Sequence, residues 1–198
     1  METFFKRVFA LALLVLLSAF DDVKLVKMQF EEGISMSIPA NFTPMPDEMY
    51  LRRFATYRKP IAAFASPDGS ATLSVNNVQN RSLLAVAQSD WNEKDMEMIK
   101  GMYKASIAAM HDEVEFLEEG ITVINKRKFI IFEFIGEVKD KDREGRVKNE
   151  VGIRQYNYLL YTIEKGKMFV FSFSCPAKQK QKWQPIAKNI MQTIKIKK

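Results

Sequence analysis

Ile34, Met36 and Ile38 alternate with Ser35 and Ser37 in GISMSIP, the two-residue period of a strand with one buried face, and Pro39 ends it. Further on, IAAFA and ATLSVNNV flank SPDGS. Pro67 presets its own φ there and Gly69 tolerates a positive one, so the two apolar runs are predicted to form a hairpin. Between strand and hairpin, MPDEMYLRRFAT sets Asp47 and Glu48 ahead of Arg52 and Arg53, the charge order that suits a helix dipole, and this predicts a short helix. From Ser82 to Met110 there is no proline, and Trp91, Met98, Ile99, Met102 and Ser106 fall on one helical stripe behind a cap at Asp90. This is the predicted long helix.

Beyond residue 110 the pattern turns to β. VEFLEEGITVI, KRKFIIFEFIGEV, VKNEVGIRQYNYLLYTIE and KMFVFSFSC follow one another across short polar turns at residues 125–127 and 165–167, so consecutive antiparallel strands are the economical topology. FIIFEFI is apolar at nearly every position, which requires cover on both faces of that strand. The long helix supplies one cover. A C-terminal helix with Trp183, Ile186, Ile190, Met191 and Ile194 at helical spacing supplies the other, with Pro185 expected in or near its first turn, where the missing N–H costs nothing. The expected fold class is α/β of the α+β kind: an α-β-α sandwich with a mainly antiparallel sheet, built by a single domain over residues 21–198.

Three stretches carry a family resemblance: SIPANFTPM after the first strand, YRKPIAAFASPDGSATLSVNN across the first hairpin, and YTIEKGKMFVFSFSCPAKQKQKWQPIAKNIMQTIKI at the end. In content and order they resemble the PsbP-like superfamily, from about residue 30 to 196. These motifs are structural, so the resemblance speaks to fold far more than to function. It implies a PsbP-like domain akin to the exported, DcrB-like bacterial proteins. It brings no catalytic residues to carry over, and it implies a non-enzymatic partner: an assembly factor, an envelope protein, or a chaperone that shelters hydrophobic helices.

Composition narrows the chemistry. With 198 residues, 47% hydrophobic and 27% charged, the chain suits one folded domain and falls outside the disordered and fibrous classes. One cysteine and one histidine exclude disulfide scaffolds, cysteine-rich zinc modules and any centre that needs two imidazoles. The formal charge of +6 is unevenly placed: residues 178–198 hold seven lysines and no acid and residues 1–20 a net +1, which leaves −2 for residues 21–177. A basic tail on a near-neutral body does not make a nucleic-acid groove, and no nucleic-acid partner is expected.

Residues 1–20 place Lys6 and Arg7 before an uncharged run from Val8 to Leu17 and small residues Ser18 and Ala19, with Asp21 and Asp22 following. That order is a signal peptide, cleaved near Ala19 or Phe20. The run from Val8 to Phe20 spans only about 20 Å against a hydrocarbon core of about 30 Å, so no stable transmembrane anchor is expected, although membrane proximity is compatible with it. The mature protein is expected outside the bacterial cytoplasm, in the periplasm or at the cell surface.

Residues able to carry chemistry occur at six places. Asp140, Asp142, Glu144 and Gly145 occupy positions 1, 3, 5 and 6 of a calcium-loop pattern, but position 12 is Val151, Glu150 falls one residue early, and four basic residues neutralise the acids; a charged hairpin tip is expected instead. His111 with Glu113 and Glu115 would make a metal or base site if they shared a strand face, against an ordinary loop or helix-capping role. Cys175 follows Phe169, Phe171 and Phe173 at the two-residue period, which points its thiol into an aromatic core. Tyr156 and Tyr158 are expected on one sheet face and Tyr161 on the other, which does not make a single stacking platform. Met96, Met98 and Met102 near Trp91 read as core packing, with an adaptable docking surface as the alternative. Glu118 and Glu119 are paired acids that could join a site assembled only in the fold.

No catalytic, metal-binding or cofactor-binding residue is assigned, and no cofactor is expected. The leading functional expectation is an exported non-enzymatic envelope protein acting on a protein partner through assembly, adhesion or a chaperone-like role. The alternatives are a hydrolase or metal-dependent enzyme, and a lipid or small-molecule carrier that would need an apolar cavity.

Overall fold

The computed structural model describes residues 23–46, 48–49, 59–79, 92–139, 152–164 and 166–197. The leader, the predicted short helix around residues 47–53 apart from Glu48 and Met49, which are helical, Asp90, Trp91 and the acidic tip from Asp140 to Val151 lie outside the described residues. Among the described residues, ten strands and two long helices carry the fold: β1 (Leu25–Gln29), β2 (Ile34–Pro39), β3 (Thr43–Pro44), β4 (Ala62–Ala65), β5 (Thr72–Gln79), α1 (Glu93–Ala109), β6 (Glu113–Ile124), β7 (Arg127–Val138), β8 (Ile153–Glu164), β9 (Lys167–Pro176), α2 (Lys180–Gln192) and β10 (Lys195–Ile196).

Seven strands form the main sheet in the order β3-β4-β5-β9-β8-β7-β6, antiparallel throughout. The strands from β6 to β9 follow one another as the sequence requires, and β5 then pairs along the free edge of β9 from Thr72↔Ser174 to Gln79↔Lys167. Gly69 takes φ +68° in the β4–β5 turn. Ser66 Oγ and the Ser70 amide and hydroxyl all donate to the Asp68 carboxylate, which holds its pKa down at about 2. A smaller sheet, β1-β2-β10, was not foreseen. GISMSIP is its central strand, with β1 on one side and the two residues of β10 on the other.

The near-continuous apolar run of β7 is covered on both faces. Phe129 and Ile131 join a core cluster with Met36, Phe171, Phe173, Trp183 and Ile190, on the side of α2 and the small sheet. Ile130, Phe132 and Phe134 join a second cluster with Met96, Ile99 and Ile107 of α1. The result is an α-β-α sandwich, with the small sheet sharing the α2 layer.

Three details differ from expectation. Asn92, not Asp90, caps α1: its Oδ1 accepts the Asp95 amide at 2.9 Å, which satisfies an orphan donor of the first turn. The buried stripe of α1 is Met96, Ile99 and Ile107 with Tyr103 stacked on Tyr161, whereas Met98 and Met102 are 55% and 62% exposed. Methionine lies on both sides of this helix and the alanines at 105, 108 and 109 on the outer one, so two apolar stripes compete and only the sheet beneath chooses between them. Pro185 sits inside α2 rather than in its first turn, because a 3-10 turn at Ala177–Gln179 starts the helix early. The carbonyl it leaves without an amide partner is that of Gln181, an exposed residue with access to water.

Candidate functional site

Glu133 is the one charged side chain among the fully buried described residues, 1% exposed. It lies in the middle of β7, facing α2, between its register partners Glu118 on β6 and Tyr158 on β8. Three donors converge on it: Tyr156 Oη at 3.0 Å, Gln184 Nε2, and Lys188 Nζ at 2.9 Å. Lys188 also reaches Glu118 Oε2 at 3.1 Å. Burial alone would lower the Lys188 pKa, but its hydrogen bonds to Glu133 and Glu118 outweigh that and hold it above the usual lysine value. Burial and the neighbouring Glu133 charge push the Tyr156 phenol far above its ordinary range. Sequence reasoning missed this cluster. Its one signal was a lone acid inside FIIFEFI. With every oxygen engaged, the Glu133 carboxylate joins α2 to the sheet and has little capacity left to act on a substrate.

The sequence candidates are dispersed. His111 packs over Gly136 and meets the Phe134 ring edge-on, with Nδ1 2.8 Å from the Ile107 carbonyl at the end of α1. This is the helix-end role. Glu113 and Glu115 do not join it: Val114 and Phe116 belong to the α1-side cluster, so the alternating glutamates face the other way, where they line a small cleft of about 170 Å³ with Glu137 and Arg154. The sheet separates the imidazole from both carboxylates. Glu118 and Glu119 are parted as well. An irregularity between Phe116 and Glu118 turns Glu118 toward Lys188 and Glu119 toward Lys104, 2.7 Å away.

Cys175 is buried opposite Tyr156, and burial pushes its thiol up to about 12. A thiol at that value is almost wholly protonated near neutrality and a poor nucleophile. Tyr156 and Tyr158 lie in the α2-side cluster and Tyr161 in the other, as the alternation predicted. Among the described residues no group of three His, Cys, Asp or Glu side chains could hold a metal ion, and no helix is long and apolar enough to cross a membrane.

What the surface offers is apolar area. Met98, Met102 and Met110 of α1 and its end are exposed, as are Val138 and Ile153, cross-strand partners at the end of β7 and β8. Val138 lies two residues beyond Gly136, on the face that His111 covers. Exposed apolar side chains thus lie along the outer side of α1 and, separately, at the Val138–Ile153 pair.

No protein-family model matches the chain, and no curated protein sequence matches it. Its backbone is similar to solved structures. The solution structure of cyanobacterial PsbP (CyanoP) from Synechocystis sp. PCC 6803 superposes with a TM-score of 0.54 at 11% identity, over 91% of this chain and 96% of that one. The Ran-binding protein Mog1p of Saccharomyces cerevisiae superposes with a TM-score of 0.51 at 8% identity, over 88% of this chain and 96% of its own.

Proposed function

We propose that this chain, whose fold is PsbP-like, is exported and acts in the cell envelope by binding another protein, with no reaction of its own. The outer face of α1 carries the proposal. The ten residues from Gly101 to Met110 include one charge, Lys104, and that is engaged with Glu119. Met102, Ala105, Ala108, Ala109 and Met110 all face solvent. A helix that simply borders water carries charged and polar residues on that face, and an exposed apolar patch of this continuity marks an interaction surface.

The surface suits an apolar helix of a partner protein. Alanines at 105, 108 and 109 and Gly101 let a second backbone approach closely, and flanking methionines adapt to its contours. Two further facts support a binding role. A protein of similar fold, Mog1p, is described as Ran-binding, and residues 1–22 carry the charge and hydropathy order of an export signal. Catalysis is disfavoured by the environments of the candidate groups: the Glu133 oxygens are occupied by donors, and the Cys175 thiol is held protonated.

The test is site-specific photocrosslinking in envelopes of cells that express the full chain. A photoreactive residue at Met102 is expected to give one defined protein adduct, absent when it is placed at Val123 and lost in Ala105→Arg. The same adducts from both sites, or an adduct unaffected by Ala105→Arg, would remove the proposed surface.

A further inference from the structure

The main sheet ends on two unlike edges: β3, two residues long, and β6, twelve residues long. Among the described residues β6 pairs with β7 alone. Its first half is guarded. Glu113, Glu115, Glu118 and Glu119, with the irregularity after Phe116, are the kind of devices that keep a free edge from pairing. The second half, residues 120–124, has no charge and no proline, and its register is unbroken. Val123 there is 62% exposed.

The turn that follows fixes which way these backbone groups point. Asn125 and Lys126 take φ of +48° and +68° between the paired residues Ile124 and Arg127. This is a two-residue type I′ hairpin, whose closing pair exchanges both hydrogen bonds. Counting back by twos along the register, Ile124, Thr122, Gly120 and Glu118 turn their amides and carbonyls toward β7. Those of Glu119, Ile121 and Val123 point off the edge, and no described backbone group bonds them.

We propose that a second copy of this chain pairs on this edge, β6 to β6, antiparallel about a two-fold axis through Ile121. That register sets the two Ile121 residues opposite each other and Glu119 opposite the partner's Val123, so every free amide and carbonyl of the stretch is bonded. Glu118 falls opposite the partner's Ile124, and no like charges meet. An axis through Glu119 would oppose two glutamates, which destabilises a strand pair. An axis through Gly120 or Thr122 would leave Val123 or Glu119 unpaired. The two-fold also runs the acidic half of each β6 toward the other's basic turn of Lys126, Arg127 and Lys128. Glu115, Lys126 and Lys128 have no described ion-pair partner within the single chain. A strand from a different protein would satisfy the same backbone groups but would gain nothing from this head-to-tail charge. The edge is separate from the outer side of α1, so the pairing does not depend on that surface.

Cysteine crosslinking in envelopes of cells that express the full chain tests the register, and the native Cys175 is buried and does not compete. Bonded partners across an antiparallel pair lie about 5.5 Å apart between Cα atoms, within disulfide reach. Ile121→Cys is expected to give a disulfide-linked dimer of this chain, and Glu119→Cys to link to Val123→Cys when the two variants are co-expressed. Val123→Cys alone should give little, because that register holds the two copies of residue 123 about four residues apart along the strands. Added to Ile121→Cys, Val123→Glu opposes the partner's Glu119 and should cut the dimer about fivefold, whereas Val123→Lys should not reduce it. Residue 123 is exposed, so both changes spare the fold, and Cys175 should stay unreactive in each. Absence of dimer from both Ile121→Cys and the mixed pair would overturn the proposal. So would equal dimer from Val123→Cys alone, or equal loss with Val123→Glu and Val123→Lys. A disulfide to a different protein in place of the dimer would replace the second copy with another strand. A photoreactive residue at Val123 should give an adduct with this chain itself, unlike the adduct at Met102, so the two surfaces fail separately.

Discussion

Lys188 Nζ lies 2.9 Å from Glu133 Oε2, and this contact joins the one fully buried carboxylate described in the sheet to the outer helix. The lysine is the half-open member of the pair, with 41% of its side chain exposed. Its removal therefore strands a charge that cannot reach water.

Lys188→Met should destabilise the fold by about 2–3 kcal/mol, at the lower edge of the range for breaking a buried pair because the ammonium side is partly solvated. Replacing the whole cluster with Glu133→Leu, Tyr156→Phe and Lys188→Met should recover most of that loss, since no orphaned charge remains. Urea denaturation of the two variants checks both expectations. Equal stability of Lys188→Met and the native protein would mean that Glu133 is satisfied without the lysine.

Gly136 is required by a neighbour rather than by its own backbone angle. A methyl group there would overlap the His111 ring, which is itself held by the Ile107 carbonyl and the Phe134 ring. Gly136→Ala should cost about 1–3 kcal/mol through overpacking. In a double-mutant cycle, His111→Ala should relieve at least half of that cost. Additive effects of the two substitutions would show that the imidazole is not what excludes the side chain.

The Cys175 thiol should be inert in the folded protein and should react with a bulky disulfide reagent only after denaturation. Its pKa is raised by burial to about 12, and burial followed by the Glu118 charge raises Tyr158 to about 12 as well. Both are groups whose folded pKa exceeds the unfolded one. Their contribution is complete below about pH 8.5 for the thiol and about pH 10 for the phenol, and is lost as pH climbs toward 12. Melting temperature should fall across that window, and Cys175→Ala should flatten its lower part. A native thiol that reacts stoichiometrically at pH 8 would contradict the burial.

Most of the architecture was legible because alternation and helical spacing record which faces of an element are buried, whatever buries them. FIIFEFI announced a doubly covered strand, and the 169–175 alternation in β9 placed Phe169, Phe171, Phe173 and Cys175 on one core face. The phase of α1 was not legible. Met98 and Met102 and the stripe of Met96, Ile99 and Ile107 are alike in hydropathy, and contact with β6 and β7 selects the second. The small sheet escaped notice for a related reason. Strand β1 is mostly half-buried or exposed, and β10 is two residues long, too short to show a period.

The site residues divide in the same way. Local spacing was enough for the Tyr156, Tyr158 and Tyr161 orientations and for the end-of-helix place of His111. It was not enough for Glu133, whose partners Gln184 and Lys188 are 51 and 55 positions away in the chain, nor for the free edge of β6, which depends on where the sheet ends. The amino-acid order determined secondary structure, layer number and the faces that must be covered, since those depend on neighbours within a few residues. Which apolar stripe stays outside, which acid is buried and which strand is left at the edge were decided by tertiary structure, because they depend on residues brought together only when the layers close.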